Sequence, residues 1–412
     1  MCFGEDDMEL EFSQEHRLFR DSLREFLAKE IEPIVDEKEK KGPLTKDEVL
    51  DLYAKFKKLG IGYDPESLSV YFEDPFYYGI ASEEISRVWA SLNVVLGMSF
   101  PVVFVNLASE QTKEVMMPKL EKNQLIGCLA ATEPEGGSDT TTMKTTAELD
   151  GDEWVLNGTK TWISNATIAD VALVVATNKE TGMQDMFLVD RVNSPFETSE
   201  LHKLGWRASP TGEIYLKNCR VPRENALSIM IQKALSEGTM VESLPIAASI
   251  SKLYAYMSPL SAVFCLMRSG MALMATGISQ AALDASVAYA KQRKAFGKPI
   301  GKFQLIQDML YKMAAITESS RLLGYKALYM IQKGDPKARY MSSLAKGYAC
   351  EGCVKVTYYG IQIHGGLGLS DEYPLERYFR DARVMTIPDG TTEIQKLIVG
   401  RELLGKGFSA YS

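Results

Sequence analysis

The residues best suited to chemistry fall in three places. The first is Thr132-Glu133-Pro134-Glu135-Gly136-Gly137-Ser138-Asp139, where glycines and Ser138 either free backbone N–H groups for a phosphate or other polar ligand, or simply form a surface turn. Neither the P-loop nor the dinucleotide glycine spacing occurs there. The second is Gln362-Ile363-His364-Gly365-Gly366-Leu367-Gly368, followed by Pro374 to Arg383. Arg377, Arg380 and Arg383 stand at helical spacing beside Asp381, a set that suits an anion site or a solvated ion-pair face. The third is Pro388-Asp389-Gly390-Thr391, a carboxylate on an irregular turn, where the commonest role is turn formation.

Other chemistries fit less well. Cys350 and Cys353 form a lone CxxC in a helical stretch, without the second pair that zinc needs, so a buried structural pair is expected. With 3 histidines, a histidine metal site is improbable, and 19 methionines suit an adaptable apolar pocket or ordinary core. The 46 Lys+Arg and 54 Asp+Glu leave a net charge of −8, which disfavours nucleic acid as the main partner. No uninterrupted apolar run reaches roughly 18 residues, so no membrane association is expected. The start carries Glu5, Asp6 and Asp7 where a targeting peptide needs basic residues, and 6 cysteines over 412 residues do not suggest a disulfide framework. A cytoplasmic protein is the expectation.

Three blocks must position these residues. Leu18, Phe19, Leu23, Phe26, Leu27 and Ile31 recur at helical spacing, with Ser13 placed as a cap and Pro33 as a break. Helical patterns continue from Val49 to Leu59 and from Ile80 to Met98. From Leu125 the runs shorten to strands (Leu125 to Ala131, Glu153 to Leu156, Lys160 to Ser164, Val171 to Ala176, Met186 to Val189), with Asn157-Gly158 as a hairpin turn. Long helices return from about Ala234, over Ser279 to Gln292, Gln304 to Met330 and Met341 to Ile363. The fold class is therefore α+β: an N-terminal α-helical domain (residues 1–124), a middle antiparallel β-barrel or sandwich domain (125–233) and a C-terminal four-helix-bundle domain (234–412).

Taken together, the motifs resemble those of the acyl-CoA dehydrogenase family over essentially the whole chain. Thr132-Glu133-Pro134-x-x-Gly137-Ser138-Asp139 is similar to that family's first signature, and Gln362-x-x-Gly365-Gly366-x-Gly368 with Pro374-x-x-Arg377-x-x-Arg380-Asp381-x-Arg383 to its second. Gln292-Arg293-Lys294-Ala295-Phe296-Gly297 and Phe303-Gln304 resemble its flavin-contacting stretch. The resemblance implies FAD as cofactor, an acyl-CoA substrate, an electron-transferring flavoprotein as acceptor and a homotetramer. It implies that Trp162 lies against the flavin ring, Ser164 near flavin N5, and Leu129, Ala131 and Thr132 at the ring edge. Arg293, Phe296 and Gln304 would serve the pyrophosphate and adenosine of a neighbouring subunit's FAD. Gln362, Gly365 and Gly366 would also reach across, with Thr391 and Glu393 along the dinucleotide. Ser138, Arg268 and Gly390 would meet the substrate, and Asp389 would be the catalytic base.

Departures from the pattern narrow the substrate. The family usually has Glu where this chain has Asp389, a side chain shorter by about 1.5 Å. Among relatives, Asp here resembles dehydrogenases of the cyclohexanecarboxyl-CoA type, which implies an alicyclic or branched acyl-CoA such as a cyclohexane- or cyclohexenecarboxyl thioester, in aromatic or alicyclic acid degradation. Some relatives carry the base just before Arg268, but here Leu266 and Met267 occupy that place. Asn93 aligns where glutaryl-type relatives carry Arg, and cannot neutralise a distal carboxylate. The span from Pro222 to Arg268 is long for the family and is expected either to cover the acyl pocket or to add a packing helix. Alternatives are an aryl- or alkyl-succinyl-CoA or other dicarboxylic acyl-CoA dehydrogenase, a nitroalkane-oxidase-like flavoprotein, and a catalytically silent flavin- or acyl-CoA-binding protein.

Overall fold

A computed structural model describes residues 12–63, 74–140, 142–239 and 250–408; the acidic start through Glu11 lies outside the described residues. Helix α1 (Gln14–Phe26) opens on a reciprocal cap. The Ser13 hydroxyl accepts the His16 N–H at 3.2 Å, and the Ser13 N–H donates to His16 Nδ1 at 3.3 Å. Around Pro33, which has no N–H to give, the chain passes through a π-turn (Leu27–Ile31) and a 3-10 turn (Glu32–Ile34) into α2 (Val35–Lys41). Helix α3 (Lys46–Lys57) follows. The single helix expected from Ile80 to Met98 is instead two, α4 (Pro75–Val88) and α5 (Ala90–Gly97). Trp89 between them is extended, and its buried indole donates to Glu39 Oε1 at 2.7 Å. Helix α6 (Glu110–Leu120) closes the block.

The middle block is one sheet of β1 (Gly127–Ala130), β2 (Thr146–Asp150), β3 (Glu153–Ser164), β4 (Val171–Asn178), β5 (Gln184–Asp190), β6 (Glu197–Glu200) and β7 (Thr211–Pro222). Most pairings are antiparallel, but β4 runs parallel to both β1 and β2, so the sheet is mixed. The hairpin expected at Asn157-Gly158 does not form. Strand β3 continues through it because β7 pairs along nearly its whole length, and the register shifts by a bulge between Leu156 and Gly158. The turn lies at Gly151-Asp152 instead, where Asp150 pairs with Glu153. Asn157 Oδ1 accepts the Asn218 N–H at 2.8 Å, and a side chain at Gly158 would collide with Thr145.

After α7 (Leu227–Glu237), the helical bundle is α8 (Pro259–Gln292), α9 (Gln304–Lys333) and α10 (Ala338–His364), with α4 packed against α8 and α9. A short hairpin, β8 (Lys294–Ala295) and β9 (Lys298–Pro299), joins α8 to α9, and α11 (Leu375–Met385) and α12 (Thr392–Leu404) pack on α10. Helix α8 begins well before Ser279. The main core unites residues of α4, α8, α9 and α10 with Val171, Leu173 and Leu188 of the sheet, while a second core fills the sheet's other face. The spans Ala90–Leu107 and Ser261–Gln292 are long and apolar enough to cross a membrane, but 78% of each apolar window is buried inside this fold. In the long Pro222-to-Arg268 connection, Ile250 and Leu253 are buried in the main core; residues 240–249 lie outside the described residues.

Candidate active site

A mainly apolar cavity of about 120 Å³ lies where the three blocks meet. Tyr78, Ser82 and Ile85 of α4 line one wall, Asn93 and Val94 of α5 extend it, and Leu266, Met267, Met271 and Met274 of α8 face them. Ser164 at the end of β3, Trp206 and Asp389 complete the enclosure. Asp389 is the one carboxylate that lines it among the described residues. Of the described residues between Arg223 and Ser258 none lines the cavity, and Ile250 and Leu253 pack in the main core, while Val263, Leu266 and Met267 further along the same connection do line it.

Backbone strain gathers here. Non-glycine residues in the left-handed region include Asn123, Trp206 and Asp389, which line the cavity, and Trp162 and Asn165, which flank Ser164. Such residues need surroundings that hold them, and they concentrate at functional sites. Asn165 shows how. Buried, it donates Nδ2 to the Val95 and Gly127 carbonyls at 3.0 and 3.2 Å, pinning the end of β3 to α5 and β1.

Burial raises the carboxyls of Glu83, Asp381 and Asp389, and of these Asp389 lines the cavity. Burial pushes its carboxyl above the usual carboxylate range, and the nearby cations Lys346 and Arg268 pull it only part of the way back. The Asp389 carboxylate accepts no hydrogen bond from the described residues; its backbone carbonyl accepts one from Gln395. Arg268 is itself held below its usual range by burial, with Nη1 3.4 Å from Ser343 Oγ. Leu266 and Met267 place no carboxylate on α8 facing the cavity.

Models of the acyl-CoA dehydrogenase N-terminal, middle and C-terminal domains match residues 13–124, 128–219 and 260–404. The glutaryl-CoA dehydrogenase of Desulfococcus multivorans is 34% identical over 409 residues, 97% of this chain and 98% of that protein. The mitochondrial short-chain specific acyl-CoA dehydrogenase of Mus musculus is 34% identical over 407 residues, 96% of this chain and 91% of its own. The chain belongs to the acyl-CoA dehydrogenase family. The structure of butyryl-CoA dehydrogenase from Megasphaera elsdenii superposes with a TM-score of 0.80 at 29% identity, covering 97% of this chain and 100% of that one. A glutaryl-coenzyme A dehydrogenase–glutaryl-CoA complex gives 0.81 at 34%, covering 97% of each chain. As an acyl-CoA dehydrogenase this protein is an FAD-dependent oxidoreductase, with the α–β–α order expected from its sequence.

The acyl-CoA dehydrogenase fold gathers the sequence-singled residues into two groups. Leu129, Ala131 and Thr132 are half-buried at the end of β1, near Trp162, whose indole is 58% exposed, and Ser164, which reaches the cavity. Arg293, Gln362, Gly365 and Gly366 share a separate cleft, with Phe296 94% exposed on the adjoining hairpin and Gln304 exposed at the start of α9. Thr391 caps α12, accepting the Ile394 N–H at 3.3 Å, and Glu393 lies exposed in its first turn. Ser138 is exposed in its loop, and Arg268 is buried on α8 within electrostatic reach of Asp389.

Other candidates turn out structural. Arg377 pairs with Asp36 at 2.9 Å, Arg380 bonds both oxygens of Glu376 at 2.6 and 2.9 Å, and Asp381 accepts the Trp206 N–H at 2.7 Å. That row ties the three blocks together rather than presenting a free anion site. Cys350 and Cys353 are buried free thiols, Cys350 pushed up to about 12 by burial. Sequence reasoning missed Lys160, Lys346 and Gln395, all buried against this machinery.

Proposed function

We propose that Asp389 takes the α-proton of an acyl-CoA thioester while the β-hydrogen leaves as hydride, yielding the enoyl-CoA, and that the acyl group is alicyclic or branched. The carrying observation is a lone carboxylate facing an apolar cavity that Ser164 also lines. A base needs reach and a pKa lifted toward its working pH, and burial supplies the lift here. As the proton leaves, charge grows on the thioester oxygen, and the Asp389 N–H is this chain's own donor for it. Bound FAD supplies the hydride acceptor.

The cofactor roles have physical support. The exposed Trp162 indole beside Ser164 offers a flat apolar face to a ring, with Leu129, Ala131 and Thr132 at its edge. The Arg293–Gln362–Gly365–Gly366 cleft combines a cation, an amide and bare backbone, which suits a pyrophosphate. Phe296 and Gln304 flank it for the adenosine, and Thr391 and Glu393 extend the path. Because the two groups line different cavities of one chain, the second is read as serving a neighbouring copy, in a homotetramer. Ser138, Arg268 and Gly390 would contact the acyl-CoA substrate. An electron-transferring flavoprotein is the proposed acceptor and the cytoplasm the proposed location.

The similarity to glutaryl-CoA dehydrogenases raises a dicarboxylic substrate as a second reading. Against it, Asn93 lines the cavity with Nδ2 spent on Ser86 Oγ at 2.9 Å, and no Lys or Arg among the described residues lines it. Anaerobic bleaching by cyclohexanecarboxyl-CoA, butyryl-CoA, glutaryl-CoA and a nitroalkane decides. The cyclic thioester should bleach fastest; a lead for glutaryl-CoA would overturn the substrate assignment.

A further inference from the structure

The turn bearing Asp389 is gripped from behind by two buried side chains. Lys346 of α10, 0% exposed, donates Nζ to the Gly390 carbonyl at 2.7 Å. Gln395 of α12 donates Nε2 to the Asp389 and Gly390 carbonyls at 3.1 and 2.9 Å. Between these anchors Asp389 sits at φ 56° and Gly390 at φ 85°. A Cβ on Gly390 would come within 2.7 Å of Gln395 Nε2, so clamp and glycine are fitted to each other.

The placement of the lysine is the unusual part. A buried ammonium is costly unless charge and hydrogen bonds compensate it, yet this one donates to a neutral carbonyl, one residue past a carboxylate. A direct ion pair would occupy the lone pairs that must accept a proton. Bonding the next carbonyl keeps the positive charge close and leaves those oxygens facing the cavity.

We propose that Lys346 is the positioning residue of the base: it fixes the Gly390 carbonyl, so aiming the Asp389 carboxylate into the cavity, and its charge favours the proton-accepting form. This rests on the reading of Asp389 as base. Burial pushes the Lys346 ammonium below its usual range and Asp389 pulls it part of the way back, and the one proton moved passes from the substrate α-carbon to Asp389. The groups bearing on Asp389 are Lys346 and Cys350 of α10, Arg268 of α8 and Tyr78 of α4; Arg339 and Glu393 stand one step further out. Burial holds the Cys350 thiol and the Tyr78 phenol in their neutral forms, which leaves Lys346 and Arg268 as the charges that act on the carboxylate.

The test uses the FAD-loaded full chain and stopped-flow flavin reduction across the pH range, with cyclohexanecarboxyl-CoA or, if it does not bleach the parent, butyryl-CoA. Lys346→Met should slow reduction at neutral pH by about tenfold to a hundredfold. Its acid limb should move up by about one pH unit, with the rate recovering on the alkaline side. Lys346→Gln, a neutral donor, should show the same shifted limb with a smaller loss at the plateau. Difference infrared should show the protonated Asp389 band persisting to higher pH in both variants than in the parent, the band assigned by its absence in Asp389→Asn. An unmoved pH profile, or a loss uniform at every pH, overturns the proposal; if the Met variant does not hold FAD, the Gln variant decides alone. An Asp389→Asn enzyme reducing flavin at the parental rate would instead remove the base assignment beneath it.

Discussion

Glu133 and Asp389 are both carboxylates packed near a fully buried lysine, and the contrast lies in what each lysine holds. At Glu133, Lys160 Nζ donates to the carboxylate itself at 2.7 Å, while the Thr145 and Lys144 N–H groups donate at 3.0 and 2.5 Å. Burial there would raise the carboxyl, but those donations outweigh it and hold it below the usual range. At Asp389, Lys346 bonds a backbone carbonyl, the carboxylate receives no donor from the described residues, and burial prevails. A carboxylate whose two oxygens both accept donors holds a proton more weakly and serves as frame. One whose backbone alone is engaged keeps that affinity and can act as a base.

Two substitutions should separate frame from base. Asp389→Asn is expected to leave FAD binding and Tm near parental, because no described donor bonds the carboxylate and Lys346 keeps its bond to the Gly390 carbonyl, while slowing flavin reduction by about a thousandfold. Stopped-flow reduction together with a thermal melt checks both; a near-normal rate would break the contrast. Glu133→Gln should do the reverse. It strands the Lys160 ammonium at 0% exposure and should cost about 3–5 kcal/mol of stability, with the rate per folded, FAD-loaded molecule little changed. Pairing it with Lys160→Met should recover much of that loss in denaturant titrations. The pH dependence follows from sign. The folded-state carboxyl of Glu133 is lowered, so its contribution is present above the unfolded carboxylate pKa and disappears as pH falls through the folded one. The parent should therefore lose stability in acid more steeply than Glu133→Gln.

The frame was easier to read in the sequence than the supports of the base. Asp389, Ser164 and Trp162 stand in recognisable motifs, and the α–β–α order follows from hydrophobic periodicity. Asn157-Gly158 misled because the turn signal is local, while β3 is dictated by pairing with β7, which begins at Thr211. The break at Trp89 was hidden because α4 and α5 are buried around most of their surface, so no stripe changes phase there. Lys346 reads in sequence as an ordinary solvated helix residue. Its partner carbonyl lies 44 residues away, and Lys160 lies 27 from Glu133, separations that no periodicity reports.

The mildest test concerns the part of the cavity wall formed by Tyr78. Gly270 on α8 is pressed against the Tyr78 phenol, and a Cβ there would overlap its hydroxyl, so the glycine is what allows Tyr78 to stand within electrostatic reach of Asp389. In Gly270→Ala the ring must swing or the helices separate, an overpacking cost of about 1–3 kcal/mol. Because Tyr78 lines the acyl cavity and Glu133 does not, the effect should be chiefly on substrate choice. We expect kcat/KM for a cyclic thioester to fall by about tenfold or more, with straight-chain butyryl-CoA less affected. Equal losses on both thioesters would mean that the substitution loosens the bundle as a whole, and that the space beside Asp389 is not what sets the acyl group.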